Sequence, residues 1–256
     1  MTLERVDFLC NVCGRRNFHV PREQVENRET QTCAGCHGNL RMRALMYALG
    51  VELFGSPRVL PAFPVDKRIR GVGLSDWEGY ADRLAEKFDY VNTFYHAEPR
   101  LDIADIPEAF AGRHDFVIAT DVFEHIPPEA LDRGFANLRR LLRPGGVLVF
   151  SVPFNKQGET QEHFPRLHDF RIVEEAGRRV LLNRTADGRE ERFDNLVFHG
   201  GEGMTLEMRM FSEPDLLRRF AAAGFSSAAV RRDHAPHFGL MWPSDLDHSL
   251  PMVARA

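Results

Sequence analysis

The chain lacks a long apolar run. No stretch of its 256 residues approaches the roughly 18 consecutive apolar residues that a membrane-spanning helix needs. Its first ten residues, MTLERVDFLC, carry charges where a secretion signal needs an apolar core, so we expect a cytoplasmic location and no membrane partner. The net charge is only −4, which gives no general attraction for nucleic acid. Internal repeats and low-complexity segments are also missing, which disfavours solenoid and disordered chains.

Cysteine is absent after residue 36, and the four cysteines form two C-x2-C pairs, Cys10/Cys13 and Cys33/Cys36. Two residues between thiolates let a tight turn direct both sulfurs at one ion, and two such turns complete a tetrahedron. We therefore predict a structural zinc ribbon over residues 1–40, with Zn²⁺ bound by these four side chains. Disulfides or free thiols are the alternative, which the absence of a secretion signal disfavours.

Beyond the cysteines, apolar runs of strand length alternate with stretches of helical periodicity. The predicted helices are Leu40–Phe54, Trp77–Phe88, Glu129–Leu142 and one that begins after Ser212. The predicted strands are Tyr90–Tyr95, Asp115–Thr120, Val147–Val152, Ser227–Arg231 and Met252–Arg255. This alternation predicts an α/β domain over residues 41–256 with a doubly wound, mostly parallel sheet.

Residues 154–210 interrupt the alternation with a segment rich in histidine, arginine, glutamate and glycine. Within it, Val180–Asn183 and Glu191–Phe193 flank the turn dipeptide Asp187-Gly188, which predicts a β-hairpin. The insertion leaves the sheet at the carboxyl edge of a strand, the edge at which open α/β sheets bind ligands. We therefore predict that it forms a cap that binds the substrate.

Two segments resemble class I S-adenosylmethionine-dependent methyltransferases. Residues 115–127 (DFVIATDVFEHIP) place an aspartate-x-x-glutamate-histidine sequence after a buried strand, and residues 138–150 (LRRLLRPGGVLVF) join a helix to the next strand. The resemblance covers about residues 56–153 and 212–256, and with the cysteine pairs it looks like a bacterial branch that carries an N-terminal zinc ribbon. It implies a Rossmann-like fold with a mostly parallel seven-stranded sheet, S-adenosylmethionine as cofactor, and methyl transfer.

Several acidic and apolar residues are candidate cofactor contacts. The strand Asp115–Thr120 delivers Asp121 to the carboxyl edge, where a carboxylate favours the cationic sulfur or holds the ligand's amino group; a helix cap or a solvated loop acid is the alternative. The resemblance implies that Asp102, followed by Ile103, accepts a hydrogen bond from the adenine amine, and Asp102 also suits capping of the next turn. Val122, beside Asp121, completes this set.

The glycine-rich loop after the first strand is where this chain departs from the family. The usual acidic-x-Gly-x-Gly-x-Gly is absent, and the nearest match is Gly71-Val-Gly73, followed by Ser75-Asp76 as a helix N-cap. These glycines lie in Ile69–Leu74, which suits either a strand or a glycine loop. The alternative is that Arg58–Phe63 forms the first strand, followed by a proline-containing loop.

The acidic residue expected at the end of the second strand, for the ribose hydroxyls, is also missing. Asn92 and Thr93 stand there and are candidates to bind the ribose instead. These two departures keep open a catalytically inactive methyltransferase-like binding module.

Histidine and glutamate side chains are the candidates for chemistry. Because histidine as a residue type titrates near neutrality, His125 is a candidate general base that deprotonates a hydroxyl nucleophile, with Glu124 beside it; packing or capping within the loop is the alternative. The insertion offers candidate substrate contacts in segments that mix aromatic, glycine and charged residues: His163, His168, His199, Glu207 and Arg209. A second metal at His163 and His168 is disfavoured, because an i,i+5 spacing suits neither a helix face nor a simple turn.

The sequence therefore predicts methyl transfer to a hydroxyl or amine of a small molecule, such as a sugar or a biosynthetic intermediate. The alternative enzyme methylates RNA or protein docked by the ribbon, which requires a basic face around Arg15, Arg16, Arg41 and Arg43. The expected partner is a small-molecule methyl acceptor, nucleic acid is not expected, and a homodimer is left open.

Overall fold

The structure, a computed structural model, describes residues 4–199, 205–243 and 249–256. At the N-terminus, β1 (Arg5–Leu9) and β2 (Arg16–Pro21) pair antiparallel, and the first cysteine pair occupies the turn between them. A short α1 (Arg22–Glu26) follows. This small two-stranded unit confirms that the first cysteine pair lies on a tight turn.

The next helix, α2 (Leu40–Phe54), has the bounds that the sequence predicts. The side chain of Asn39 accepts a hydrogen bond from the Met42 backbone N–H and caps the first turn. Gly55 ends the helix in the left-handed region at φ 69°, a conformation that suits glycine. A 3-10 turn over Leu60–Ala62 follows, so the alternative first strand at Arg58–Phe63 is wrong; Pro61 and Pro64 lack the N–H that strand pairing requires.

The first half of the α/β unit follows the predicted alternation with small shifts at the ends of the elements. The elements are β3 (Arg70–Leu74), α3 (Glu78–Lys87), β4 (Asp89–Thr93), β5 (His114–Thr120), α4 (Pro128–Leu141) and β6 (Leu142–Ser151). From Asp115 onward every residue of β5 is buried, as expected for a central strand covered on both faces.

The insertion consists of short strands. They are β7 (Phe154–Asn155), β8 (Gln161–Glu162), β9 (Asp169–Glu175), β10 (Arg178–Arg184), β11 (Glu190–Phe193), β12 (Phe198–His199), β13 (Thr205–Leu206) and β14 (Arg209–Ser212). The predicted hairpin is confirmed as β10 and β11, and β9 extends it to a three-stranded antiparallel sheet.

The chain ends with α5 (Glu213–Ala222), β15 (Ser227–Val230) and β16 (Met252–Arg255). Ser212 caps α5 by accepting a hydrogen bond from the Asp215 N–H, as predicted. No helix in the described ranges combines the length and apolarity needed to cross a bilayer.

The main sheet has the order β15-β16-β6-β5-β3-β4, in which β16 runs antiparallel and β3 to β6 run parallel. From β3 the chain continues to β4 on one side of the sheet, and from β5 it continues to β6 on the other side. The crevice that receives ligands in such sheets lies at the carboxyl ends of this central pair. The predicted α/β fold with a mostly parallel sheet is confirmed, although the described sheet has six strands instead of the predicted seven. Within the described residues, an isolated parallel bridge between Phe94 and Arg100 follows β4.

Two apolar clusters cover the faces of this sheet. On one face α4 and α5 pack a group of edge-to-face phenylalanine rings, including Phe123, Phe135 and Phe150. On the other face the core is continuous with the ribbon, because Phe8 and Val25 belong to the same buried cluster as Phe116. The ribbon and the sheet therefore share one hydrophobic core.

Candidate functional site

The loop that follows β3 is only three residues long, from Ser75 to Trp77, and it is the site of the first departure from the sequence prediction. Ser75 adopts a left-handed φ of 57°. The N-cap of α3 is Trp77, with no side-chain hydrogen bond, so the prediction that Ser75-Asp76 caps this helix is wrong. The Asp76 carboxylate points instead into the protein.

The two glycines of Gly71-Val-Gly73 lie inside β3, so of the two structures that the sequence leaves open for Ile69–Leu74 the strand is confirmed and the glycine loop is wrong. A Cβ on Gly71 would lie 2.1 Å from the Phe116 ring, and a Cβ on Gly73 would lie 2.0 Å from the Tyr90 hydroxyl oxygen. Both positions therefore need glycine because aromatic side chains occupy the space beside β3. Contact of either glycine with the cofactor stays a prediction.

Asp76 is the centre of a buried polar network beneath the carboxyl edge. Its carboxylate accepts hydrogen bonds from the hydroxyls of Tyr80, at 2.9 Å, and of Tyr90. Burial raises the pKa of Asp76 to about 7, although the tyrosine hydroxyls and Thr120 act in the opposite direction. The burial of the two phenols and the nearby Asp76 carboxylate raise the pKa values of both tyrosines.

Asn92 and Thr93, the candidates for the ribose, form hydrogen bonds within the protein. The Asn92 amide donates to the Asp76 carbonyl at 2.8 Å and accepts from the Asp76 N–H at 2.9 Å. The buried Thr93 hydroxyl donates to the carbonyl of Gly73 at 2.7 Å. These bonds fix the loop after β3, and binding of the ribose by either residue stays a prediction.

Asp102 and Ile103 lie in a turn after the β4 edge. The Asp102 carboxylate accepts a hydrogen bond from the Ala104 N–H at 2.9 Å, the turn-capping contact that the sequence also suggested. Ile103 is buried in the apolar core, and its carbonyl accepts a hydrogen bond from the Asn137 amide. Asp102 is partly exposed, so its remaining carboxylate surface can serve the predicted adenine contact.

Asp121 follows β5 at the carboxyl edge, where the sequence places it, at a left-handed φ of 51°. The Arg41 Nη1 atom lies 2.6 Å from one carboxylate oxygen, and the Arg28 Nη2 atom lies 3.4 Å from the other. The Ser151 hydroxyl donates to the same carboxylate at 3.2 Å. Val122 packs against the apolar core beside it.

Neither arginine was predicted to reach this edge. Both belong to the N-terminal ribbon region, and Glu29 joins them through ion pairs of 3.0 Å and 3.1 Å. Burial opposes the charge on Arg41, but the carboxylates of Asp121 and Glu29 outweigh it and raise the pKa of Arg41. The edge that carries Asp121 is therefore covered by two cations from a distant part of the chain.

The candidate acid-base pair lies one turn further on. His125 Nδ1 lies 2.8 Å from the carbonyl oxygen of Leu206 in β13, which fixes a proton on Nδ1 and leaves Nε2 as the acceptor in the neutral ring. Nε2 is 3.7 Å from a carboxylate oxygen of Glu124, a fully buried side chain. The insertion therefore orients the histidine that the sequence proposes as a base.

The fully buried Arg209 joins the insertion to this turn. Its guanidinium donates to the carbonyls of Phe123 and Ile126 at 2.9 Å and 2.6 Å, and it pairs with Glu162 at 2.7 Å. The position suits holding the loop of Glu124 and His125 in place. Its predicted contact with the substrate stays untested.

Among the other predicted substrate residues, the described part of the structure brings one pair together. His163 Nε2 lies 3.0 Å from Glu207 Oε1, which brings those two together. His168 is exposed, and its backbone N–H donates to Asn183. His199 belongs to β12, and its side chain lies outside the described part of the structure.

The four cysteines meet at one point. Their sulfur atoms all lie within 4.8 Å of one another, with 3.7 Å between Cys10 and Cys36 and 3.5 Å between Cys13 and Cys33. Four sulfurs each about 2.3 Å from one tetrahedral ion would lie roughly 3.8 Å apart. The donor set and spacing therefore fit zinc, and no disulfide links these cysteines.

Arg43 is buried beside the four cysteines and is well placed to offset the negative charge that their thiolate forms would carry. Its guanidinium donates to the Thr32 hydroxyl at 2.9 Å and to the carbonyls of Gly38 and Gly239 at 3.1 Å and 3.2 Å. Burial lowers its pKa to about 10, and the nearby cysteines act in the opposite direction. The Arg43 side chain thus joins the segment around the second cysteine pair, Cys33/Cys36, to the C-terminal part of the chain.

A family model for the methyltransferase domain matches residues 57–230, which is more than half of the chain. The chain belongs to the methyltransferase domain family. It is a class I S-adenosylmethionine-dependent methyltransferase, as the sequence predicted. No curated protein matches the chain in sequence.

Solved structures share the methyltransferase fold at low identity. One is the 1,6-didemethyltoxoflavin-N1-methyltransferase of Burkholderia thailandensis with bound S-adenosylhomocysteine, at 18% identity and a TM-score of 0.47 over 84% of this chain and 77% of that one. Another is the amino pentose methyltransferase CalS10 of Micromonospora echinaspora, at 17% identity and a TM-score of 0.41 over 73% of this chain and 83% of that one. A methyltransferase of Mesorhizobium loti shares 16% identity, with a TM-score of 0.45 over 87% of this chain and 100% of that one.

The cysteine cluster predicts that the purified methyltransferase carries about one zinc ion per chain. Cys33→Ser should lose most of this metal, because a hydroxyl is a poor replacement for a thiolate ligand, and should lower the free energy of unfolding. Elemental analysis and urea unfolding measure both effects. Ala34→Ser, at an exposed neighbour, is the matched control and should keep the zinc; equal zinc content in the two variants would contradict the site.

Asp76 predicts a specific pH dependence of stability. Its pKa is about 7 in the fold and about 4 in the unfolded chain, so the folded state keeps a proton that the unfolded state releases between these values. This contribution is complete below about pH 4 and falls by up to about 1.4 kcal/mol per pH unit as the pH rises towards 7.

Urea unfolding at pH 5 and pH 7 measures this loss. The wild-type chain should lose roughly 1–3 kcal/mol more than Asp76→Asn over this interval. Asp105→Asn, at an exposed acid, is the control and should follow the wild type. Parallel pH dependences for the wild type and Asp76→Asn would show that Asp76 is ionised throughout.

Proposed function

We propose that this chain transfers the methyl group of S-adenosylmethionine to a hydroxyl or amine of a small molecule, and that the N-terminal cysteines hold a structural zinc ion. The observation that carries the proposal is the contact between His125 and Leu206. This 2.8 Å contact holds the imidazole beside the carboxyl edge of β5 and under the insertion, and a ring with its proton on Nδ1 supports a role for Nε2 as a base. The bound cofactor would supply an electrophilic methyl group, and the chain would supply positioning and a proton acceptor.

The side chains around β5 have complementary roles in this proposal. Asp121 carries the negative charge that favours a cationic sulfonium ligand. The His125 Nε2 atom takes the proton of the attacking hydroxyl or amine, and the carbonyl of Leu206 holds the ring in the required tautomer. Arg209 acts as a positioning residue, because it binds the backbone carbonyls on both sides of Glu124 and His125.

A small acceptor agrees with the shape and charge of the insertion and the ribbon. The insertion lies over the turn that bears His125, which suits an enclosed substrate better than a long polymer. Two of the four arginines that an RNA-docking face requires are turned inward, since Arg41 pairs with Asp121 and Arg43 is fully buried. The structural neighbours named above include enzymes of small molecules and sugars, in keeping with this substrate class.

Calorimetry with S-adenosylhomocysteine tests the proposed function. The purified zinc-containing chain should bind the ligand saturably, with a dissociation constant below millimolar. Asp121→Asn should weaken binding, because the carboxylate no longer faces the ligand's ammonium group. Absence of saturable binding would make the chain a methyltransferase-like module without this activity.

The role of His125 leads to a separate prediction on turnover. Amines and hydroxyl compounds, amino sugars among them, can be screened by release of S-adenosylhomocysteine from S-adenosylmethionine. On an acceptor found in this way, His125→Gln should lower kcat by about 10²- to 10⁴-fold, because a general base contributes in this range. Affinity for S-adenosylhomocysteine should stay unchanged in this variant. An unchanged kcat would show that His125 only packs against the insertion.

A further inference from the structure

The pair of ribbon arginines at the carboxyl edge points to a second role for the N-terminal part of this methyltransferase. We propose that Arg28 and Arg41 bind the carboxylate at the methionine end of S-adenosylmethionine, while Asp121 faces the adjacent ammonium group. The inference rests on the proposed function and names the residues that recognise one end of its cofactor.

The charges at this point match a zwitterion. Arg28 and Arg41 pair with the carboxylates of Asp121 and Glu29, so positive and negative groups alternate at this point. An α-amino acid end carries one negative and one positive group on the same carbon, so it fits between a guanidinium and a carboxylate. Guanidinium groups bind carboxylates through paired parallel hydrogen bonds, which favours arginine at such a position.

The loop after β3 offers little to replace these arginines. In open α/β sheets the N–H groups of this loop and of the following helix N-terminus usually hold anionic ligand groups. Here the Ser75 N–H donates to the Thr93 carbonyl at 2.7 Å, and the Asp76 N–H donates to the Asn92 side chain at 2.9 Å. These two loop donors already have acceptors within the protein, which leaves fewer N–H groups at this loop for a ligand carboxylate.

The arginines also carry buried donors with no acceptor. The Nε atoms of Arg28 and Arg41 are both buried and make no hydrogen bond to the described residues. A buried donor without an acceptor costs about 1–3 kcal/mol, so an arrangement that supplies an acceptor is favoured. A ligand carboxylate bound side-on accepts from Nε and Nη together.

Both arginines lie beside the second cysteine pair, Cys33/Cys36, and contact each other's segments. Arg28 precedes Cys33 and Arg41 follows Cys36, and the Arg41 N–H lies 3.5 Å from the Arg28 carbonyl oxygen. Glu29 pairs with both guanidiniums. The zinc-binding unit thereby supplies two cofactor-binding side chains to a sheet edge that lies 93 positions after Arg28 in the chain.

Calorimetry with two ligands tests this assignment. S-adenosylhomocysteine has the amino acid end, and 5′-methylthioadenosine lacks it. In the zinc-containing full chain, Arg41→Gln and Arg28→Gln should each lower affinity for S-adenosylhomocysteine by about 10- to 100-fold. Affinity for 5′-methylthioadenosine should stay within about twofold of wild type, because that ligand has no carboxylate to lose.

Arg16→Gln, at an exposed arginine of the same ribbon, is the matched control and should bind both ligands as the wild type does. Arg41→Lys keeps the charge beside Asp121 and Glu29, so it serves where the glutamine variant fails to fold; it should show a smaller loss confined to S-adenosylhomocysteine. An unchanged affinity for S-adenosylhomocysteine, or an equal loss for both ligands, overturns the inference. A wild-type chain that binds neither ligand overturns the proposed function itself.

Discussion

The constraint on which this structure depends is the convergence of four cysteine sulfurs within 4.8 Å of one another. A zinc ion bound by these sulfurs would hold together two turns that are 19 residues apart in sequence. Arg43 is buried beside them and donates to the Gly239 carbonyl near the end of the chain. Arg28 and Arg41 flank the second cysteine pair in sequence, and both reach the carboxylate of Asp121.

The absent glycine loop has a structural explanation. Large side chains occupy the space beside β3: the Tyr90 hydroxyl and the Asp76 carboxylate approach Gly73, and the Phe116 ring approaches Gly71. The turn into α3 is short, and Asn92 holds it through two hydrogen bonds. A polar network inside the protein thus holds a short turn where a longer glycine loop would otherwise stand.

Much of the fold could be predicted from the sequence, because local signals determine it. The bounds of α2 and β16 agree with their predicted positions, since apolar periodicity, the Asn39 cap and the strand composition all act over a few residues. Asp121 was placed at the sheet edge for the same reason. The first strand stayed ambiguous because an isolated Gly-x-Gly suits a strand beside large rings as well as a loop.

The part of the site that sequence reasoning missed depends on long-range contacts. In the sequence, Arg41 stands beside Arg43 like a surface basic residue, and no nearby residue indicates that it pairs with Asp121, 80 positions later. The contact between His125 and Leu206 joins residues 81 positions apart, and no sequence pattern indicates it either. Such contacts follow only from the packing of complete elements, so motif spacing alone does not reveal them.

The core that Phe8 and Val25 share with Phe116 has a consequence for any attempt to separate the two parts of this chain. A module that is joined to its neighbour by a flexible linker alone can be removed without opening the neighbour's core. Here, deletion of the ribbon would expose apolar surface on one face of the sheet to water, and a separated ribbon would lose much of its own interior. The shared apolar surface therefore makes each part depend on the other for its stability.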